Sequence, residues 1–164
     1  MNLDQKIYMG LGNLHDVFLN ASLIKKHMDN SPVESATERG AEVFLASDRG
    51  RFERMWVAFL YVLVEAWESD NMKEVRDYVS SKISADELTE LIEQGEKDGG
   101  INKMRDTRHY IAHRDKREYW DSGRLSVLGQ LEYHVKLHNT FSKILLVAMR
   151  EMVKECESKR ITSA

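Results

Sequence analysis

Apolar side chains recur at steps of three and four residues along most of this chain, a period typical of helices and not of strands. Near the N-terminus the repeat predicts one helix over about Asp4 to Met28, with a single apolar stripe facing the core. Pro32, which has no amide hydrogen, and the turn-forming residues before it should end that helix. The stripe consists of Leu3, Ile7, Leu11, Leu14, Phe18 and Ala21.

The stretch from Met55 to Val64 contains no charged residue. A helix over about Arg51 to Glu68 would therefore be apolar nearly all round, as expected of the central helix of a bundle. Glu65 follows this stretch, and a carboxylate is seldom fully buried without a partner. We expect Glu65 to reach solvent, to pair with a base such as one in the segment from Arg105 to His113, or to support the chemistry there.

Further elements are predicted around and beyond this central helix. A loop and a short helix containing Val43-Phe44-Leu45 should precede it. Ser84 and Glu87 have the spacing of a capping box, which predicts a helix to about Lys97 that Gly99-Gly100 ends before another begins near Ile101. A long closing helix is predicted over about Ser126 to Glu155, because apolar residues again step at helical spacing. These residues are Leu128, Leu131, Val135, Phe141, Leu145, Ala148 and Met152.

Composition agrees with an all-helical protein. The chain has 164 residues, 42% of them hydrophobic, which suffices for one sizeable core. One proline and nine glycines are few for a chain with many turns. We therefore expect an all-α fold in a single domain over residues 1–164, an up-down bundle of roughly four to five main helices with short additional helices.

Cysteine usage and the N-terminus bear on location. The single cysteine, Cys156, cannot form an intramolecular disulfide, and no basic segment leads into an apolar stretch at the N-terminus. No apolar run is long enough to span a membrane. These features favour a cytoplasmic protein without a membrane partner.

The charge is unevenly distributed. The formal net charge of −3 argues against a general nucleic-acid coat. The segment from Arg105 to Arg117 departs from this balance, since five basic and two acidic residues give it a local charge of +3. A positive patch of this kind attracts phosphate-bearing partners. Its basic residues are Arg105, Arg108, Arg114, Lys116 and Arg117.

This segment also contains the side chains best suited to phosphodiester chemistry. Arg108 offers a permanent cation with a forked donor geometry, and His113 is of the residue type that exchanges protons near neutral pH. On an ideal helix these two point roughly 140° apart, whereas Arg105, His109 and His113 share a face. A helix that presents His113 to a cleft, with Arg108 on its flank, could be completed by the same segment of a second copy.

The segment Arg108-His109-Tyr110-Ile111-Ala112-His113 resembles the motif of the HEPN superfamily of helical bundles. Members carry an arginine, a following polar residue and a histidine at this spacing, and Arg108, His109 and His113 match those positions. The resemblance implies a metal-independent endoribonuclease of the toxin or phage-defence type, active as a homodimer and without a cofactor. It further implies that His113 acts as general base or acid, that Arg108 binds the scissile phosphate and that His109 tunes the pair.

Other interpretations of the same residues stay open. The protein could be a noncatalytic helical module that binds RNA, a nucleotide or a partner protein. Tyr110 could stack on an unpaired base, although packing on the core is favoured for an aromatic residue near a helix end. His134 and His138 have a spacing that could place two imidazoles on a metal, but no third ligand is evident, and a hydrogen-bonded core histidine is favoured for His138. An antitoxin such as a nucleotidyltransferase-like protein is a possible partner by analogy with the superfamily.

Overall fold

The computed structural model of the protein describes residues 3–32, 47–113 and 130–162. Helices account for nearly all of these residues. Within these ranges no strand is present, and the all-α prediction is confirmed. A 3₁₀ turn over Asp70–Met72 connects the second and third of the six α-helices described. The helices are α1 Leu3–Asn30, α2 Asp48–Glu68, α3 Lys73–Lys82, α4 Asp86–Lys97, α5 Gly100–Ala112 and α6 Leu131–Thr162.

Helices α1 and α2 run antiparallel and form the most extensive helix pair of the described bundle. Near the end of α1, the ring of His27 stacks on Phe52 at the start of α2, with the centroids 5.5 Å apart. Near the start of α1, Gly10 lies against Met72, which follows the end of α2. The stripe predicted for α1 is the buried one, because Leu11, Leu14, Phe18 and Ala21 all lie in the core.

Helix α6 also runs antiparallel to α1. Lys159 near its end lies 2.5 Å from Asp4, and His138 near its start lies against Phe18, with ring centroids 4.9 Å apart. The buried apolar side chains of all six helices join in one core. The largest fully buried members are Trp56, Phe141, Leu11, Leu14, Met28, Leu60, Leu63, Leu88, Met104, Leu137, Ile144 and Leu145.

Helix α5 follows α4 directly through a sharp turn. Gly99 adopts a left-handed conformation with φ of 74°, which costs a residue without a Cβ atom little. This turn redirects the chain so that α5 packs on both α2 and α4. The predicted break at Gly99-Gly100 and the helix start near Ile101 are confirmed.

Helix α3 and the 3₁₀ turn before it were not predicted from the sequence, and the starts of α4 and α6 and the end of α6 differ from the predictions. The capping box is not formed, because the residue before α4 is Ala85 and the Ser84 hydroxyl oxygen instead accepts from the Asp86 amide at 3.2 Å. Helix α6 begins at Leu131, later than the predicted start near Ser126, since Gln130 is not helical, and it continues to Thr162, beyond the predicted end at Glu155. The short helix expected at Val43-Phe44-Leu45 lies outside the described residues. None of the helices described is both long enough and apolar enough to cross a membrane.

Candidate functional site

Helix α5 carries the arginine and histidines singled out from the sequence. One face of α5 is buried against α2 and α4, and the remaining residues of the helix are half-buried or exposed. Arg108 and His109 are half-buried near the end of α5, and His113 is exposed immediately after it. The buried face consists of Gly100, Ile101, Met104, Thr107 and Tyr110.

Arg108 lies on the flank of α5 that faces α2. Its Nη2 is 3.7 Å from Oε2 of Glu65, and its guanidinium carbon is 6.0 Å from the centre of the Tyr61 ring. Two of the three outcomes expected for Glu65 are thus observed together, since the carboxylate is solvent-exposed and also pairs with a base of the Arg105 to His113 segment. The pair leaves 39% of the Arg108 side chain accessible to a ligand.

His109 and His113 lie next to each other at the C-terminal end of α5. Their ring centroids are 6.4 Å apart, and the amide of His113 donates to the carbonyl oxygen of His109 at 2.8 Å. His113 has left helical geometry, with φ of −132° and ψ of 50°. The 140° separation calculated for an unbroken helix therefore does not describe the relation between Arg108 and His113. The proximity of His109 to His113 agrees with the predicted shared face.

Arg105 lies one turn before Arg108 and lines a groove between α2 and α5. The groove has a volume of about 520 Å³ and is continuous with the Arg108 pair, because Tyr61 and Glu65 also line it. We refer to it as the α2/α5 groove. Arg105 itself is exposed, with its Nε 4.0 Å from the Asp106 carboxylate. The other lining residues are Val64, Glu68, Ser69, Glu96, Ile101 and Asn102.

The α2/α5 groove mixes both signs of charge on a partly desolvated wall. Burial is the main cause that raises the pKa of Tyr61 above its ordinary value, with Glu65 adding to the effect and Arg105 and Arg108 opposing it. Burial also raises the pKa of the Glu68 carboxyl, and the facing carboxylate of Glu96 raises it further. The groove therefore holds two cations and the Glu65 carboxylate at the Arg108 end, and the carboxylates of Glu68 and Glu96 at the other end.

Tyr110 is a core residue and not part of the exposed surface. The residue is only 8% exposed, and the guanidinium carbon of Arg54 lies 5.9 Å from the ring centre. The packing interpretation of Tyr110 is therefore confirmed. The alternative prediction, that Tyr110 binds substrate by stacking on a base, is wrong because the core and Arg54 already cover the ring.

His134 and His138 lie on the buried face of α6. His138 accepts a hydrogen bond at Nδ1 from Nε1 of Trp56 at 3.2 Å, which confirms the core interpretation. His134 is fully buried, and neither of its ring nitrogens has a hydrogen-bond partner among the described residues. No group of three potential metal ligands occurs in the ranges that the structure describes.

Three residues of the predicted basic patch, Arg114, Lys116 and Arg117, lie outside the described residues. Sequence reasoning missed Tyr61 and Glu68, which belong to no recognisable motif. Their spacing from Glu65 gave a usable signal, because positions 61, 65 and 68 fall on one face of a helix. Because Glu65 was expected to pair with the α5 segment, Tyr61 and Glu68, one turn away on the same face, could have been expected to face α5 as well.

Comparisons with protein-family models, with curated proteins and with solved structures found no match to this chain.

Proposed function

We propose that this protein is a metal-independent endoribonuclease of the HEPN toxin or defence type. The observation that carries the proposal is that Arg108, His109 and His113 gather at the accessible end of one helix in an all-helical bundle. Glu65 and Tyr61 contact Arg108 from the neighbouring helix. The end of α5 thus carries a cation suited to phosphate and two imidazoles, which are the kinds of group that ribose-assisted cleavage uses.

In the proposed reaction the substrate supplies its own nucleophile. A ribose 2′-hydroxyl oxygen attacks the adjacent phosphorus while the P–O5′ bond breaks, which gives a 2′,3′-cyclic phosphate and a 5′-hydroxyl end. His113 accepts the proton of the 2′-hydroxyl or donates one to the leaving 5′-oxygen, and His109 adjusts the reactivity of the pair formed by Arg108 and His113. Arg108 offsets the charge that develops on the phosphate oxygens. Because the nucleophile is the 2′-hydroxyl, DNA is not a substrate.

One histidine cannot be base and acid in the same step. The proposal therefore assigns the two roles to the histidines of two copies in a homodimer, with the site completed across a two-fold axis. Arg105 and the basic residues Arg114, Lys116 and Arg117 attract the RNA backbone. Cytoplasmic location and a nucleotidyltransferase-like antitoxin belong to the same proposal.

The experiment compares the wild-type protein with His113→Ala on total RNA in the presence of a chelator, with analysis of the ends produced. Wild-type protein should produce 2′,3′-cyclic phosphate ends, and His113→Ala should abolish them while remaining folded, because this side chain is exposed. His15→Ala on α1 is the matched control and should retain full activity.

Two outcomes contradict the proposal. Undiminished cleavage by His113→Ala, or equal cleavage of DNA, would remove the assigned chemistry. RNA binding that depends on salt but is never accompanied by cleavage would instead identify a noncatalytic RNA-binding module. Sedimentation of both variants shows whether the dimer is present and independent of the substitution.

A further inference from the structure

The α2/α5 groove has the size and polarity of a nucleotide subsite. Its volume of about 520 Å³ lies within the range of about 300–1,000 Å³ common for small-ligand sites. One end holds Arg105 near the pair of Arg108 and Glu65, and the other end holds the carboxylates of Glu68 and Glu96 without a cation among the lining residues. A ligand that carries an anion at one end and hydrogen-bond donors at the other fits this polarity.

Glu68 is a solvent-exposed carboxylate in the acidic part of the groove. Among the described residues it forms no hydrogen bond and no ion pair, and the nearby carboxylate of Glu96 disfavours its charge. Arg76 acts on Glu68 from a distance, but that guanidinium donates to the carbonyl oxygens of Trp67 and Ser69. A bound ligand that donates N–H groups to Glu68 would supply the partner that the protein does not.

We infer that the α2/α5 groove binds a guanine base of the RNA, with Glu68 as the residue that recognises it. This inference rests on the proposed ribonuclease function and names the base next to the phosphate held by Arg105 and Arg108. The N1–H and the 2-amino group of guanine are adjacent donors that a carboxylate accepts together. Asn102, which also lines the groove, can donate its amide to the O6 atom of guanine.

The other contents of the groove bear on which ligand it accepts. The ring of Tyr61 lines the wall, where the guanidinium of Arg108 already lies over it. Uracil presents a single N–H donor between two carbonyl oxygens, so it offers a carboxylate one donor where guanine offers two adjacent ones, and carboxylates at this end of the groove repel its oxygens.

The test measures binding separately from cleavage. Short uridine oligonucleotides, 2′-O-methylated throughout so that they cannot be cleaved, carry one central guanine, one central hypoxanthine or uracil only. The guanine probe should bind about tenfold tighter than the uracil probe, a discrimination typical of a bidentate contact. The hypoxanthine probe, which lacks only the 2-amino group, should fall between them.

Glu68→Gln should bring the ratio of the affinities for the guanine and uracil probes close to one. Its affinity for all probes should rise, because a negative charge is lost. Glu87→Gln on α4 is the matched control, since this exposed carboxylate pairs with Lys143 and lies outside the groove. The control should keep the tenfold ratio. Equal binding of the three probes by the wild-type protein, or a ratio unchanged in Glu68→Gln, would overturn the inference.

The failure of this inference is distinguishable from the failure of the proposed function. If the protein cleaves RNA but binds the three probes equally, the ribonuclease assignment stands and the guanine subsite is wrong. If guanine preference depends on Glu68 but total RNA is never cleaved, the subsite stands and the catalytic proposal is wrong.

Discussion

The indole Nε1–H of Trp56 donates to Nδ1 of His138 across 3.2 Å, which joins α2 to α6 inside the core. Trp56 is fully buried and His138 nearly so, and the imidazole also lies against the ring of Phe18. Because Trp56 is shielded from water, this donor depends on the histidine, its one acceptor in the part of the chain that the structure describes. The pair therefore fixes how the central helix sits against the closing one.

We predict that His138→Leu lowers the free energy of unfolding by about 1–3 kcal/mol, because a buried indole N–H loses its acceptor. The measurement is urea denaturation at pH 7 within a double-mutant cycle that includes Trp56→Phe. In the Trp56→Phe background the same substitution should cost about 1 kcal/mol less, since the donor is already absent. Strictly additive effects would show that the hydrogen bond contributes nothing.

His134 makes the fold sensitive to acid. Burial, with Lys103 nearby, lowers the pKa of His134 to about 4, and burial with Lys25 lowers that of His138 to about 4, with Asp29 opposing. An unfolded chain binds these protons near pH 6.5, so the unfolded state takes up more protons between pH 6.5 and 4. Stability is therefore complete above this window and falls as the pH drops through it.

We predict that lowering the pH from 7 to 5 costs His134→Leu about 2 kcal/mol less free energy of unfolding than it costs the wild type, an order-of-magnitude value for one such histidine. The substitution leaves no polar group unpaired, because neither imidazole nitrogen has a partner among the described residues. Urea denaturation at the two pH values measures the difference, with His113→Leu as the matched change at an exposed histidine. An acid-induced loss equal to that of the wild type would contradict the prediction.

The helices of this fold could be predicted because their apolar faces repeat in sequence, but polar contacts set some of their ends. Beyond Cys156 the apolar pattern of α6 fades, and the sequence therefore indicated an earlier end. The helix continues because Lys159 pairs with Asp4 and Glu155 with Lys82, contacts that join distant parts of the chain. Such pairs cannot be identified until the helices have been placed.

The residues proposed for the candidate site could be singled out from the sequence, but their geometry could not be predicted. Arg108 and His113 were recognised from residue type and spacing, but where α5 ends decides the direction of His113. The groove beside them depends on how α2 and α5 pack, and Glu68 becomes part of a site only through that packing. A pairing of Glu65 with α5 could be expected because a carboxylate at the end of an apolar helix needs solvent or a partner.

Two glycines provide a test of the packing of α4 against α6. A Cβ atom added at Gly95 would meet the hydroxyl of Tyr133 and lie 2.7 Å from its Cζ, whereas at Gly12 on α1 no described atom lies within 4 Å. We predict that Gly95→Ala destabilises the fold by about 1–3 kcal/mol through overpacking. Gly12→Ala should stabilise it by about 0.5–1 kcal/mol through helix propensity. Thermal unfolding of both variants checks the opposite signs, and a stabilised Gly95→Ala would contradict the close approach.

The ion pair between Glu65 and Arg108 predicts that Glu65 restrains phosphate binding. Both side chains are substantially exposed, so breaking the pair costs the fold at most about 1 kcal/mol, and the released guanidinium becomes available to a phosphate. Glu65→Gln should therefore bind a 2′-O-methylated uridine oligonucleotide severalfold more tightly in dilute salt, and the advantage should shrink as salt screens the charges. Fluorescence anisotropy measures both effects, and Glu87→Gln controls for the loss of one negative charge elsewhere on the surface.

If the two variants gain affinity equally, the effect reflects net charge alone. If Glu65→Gln loses affinity, the carboxylate positions Arg108 for the phosphate and does not compete with it.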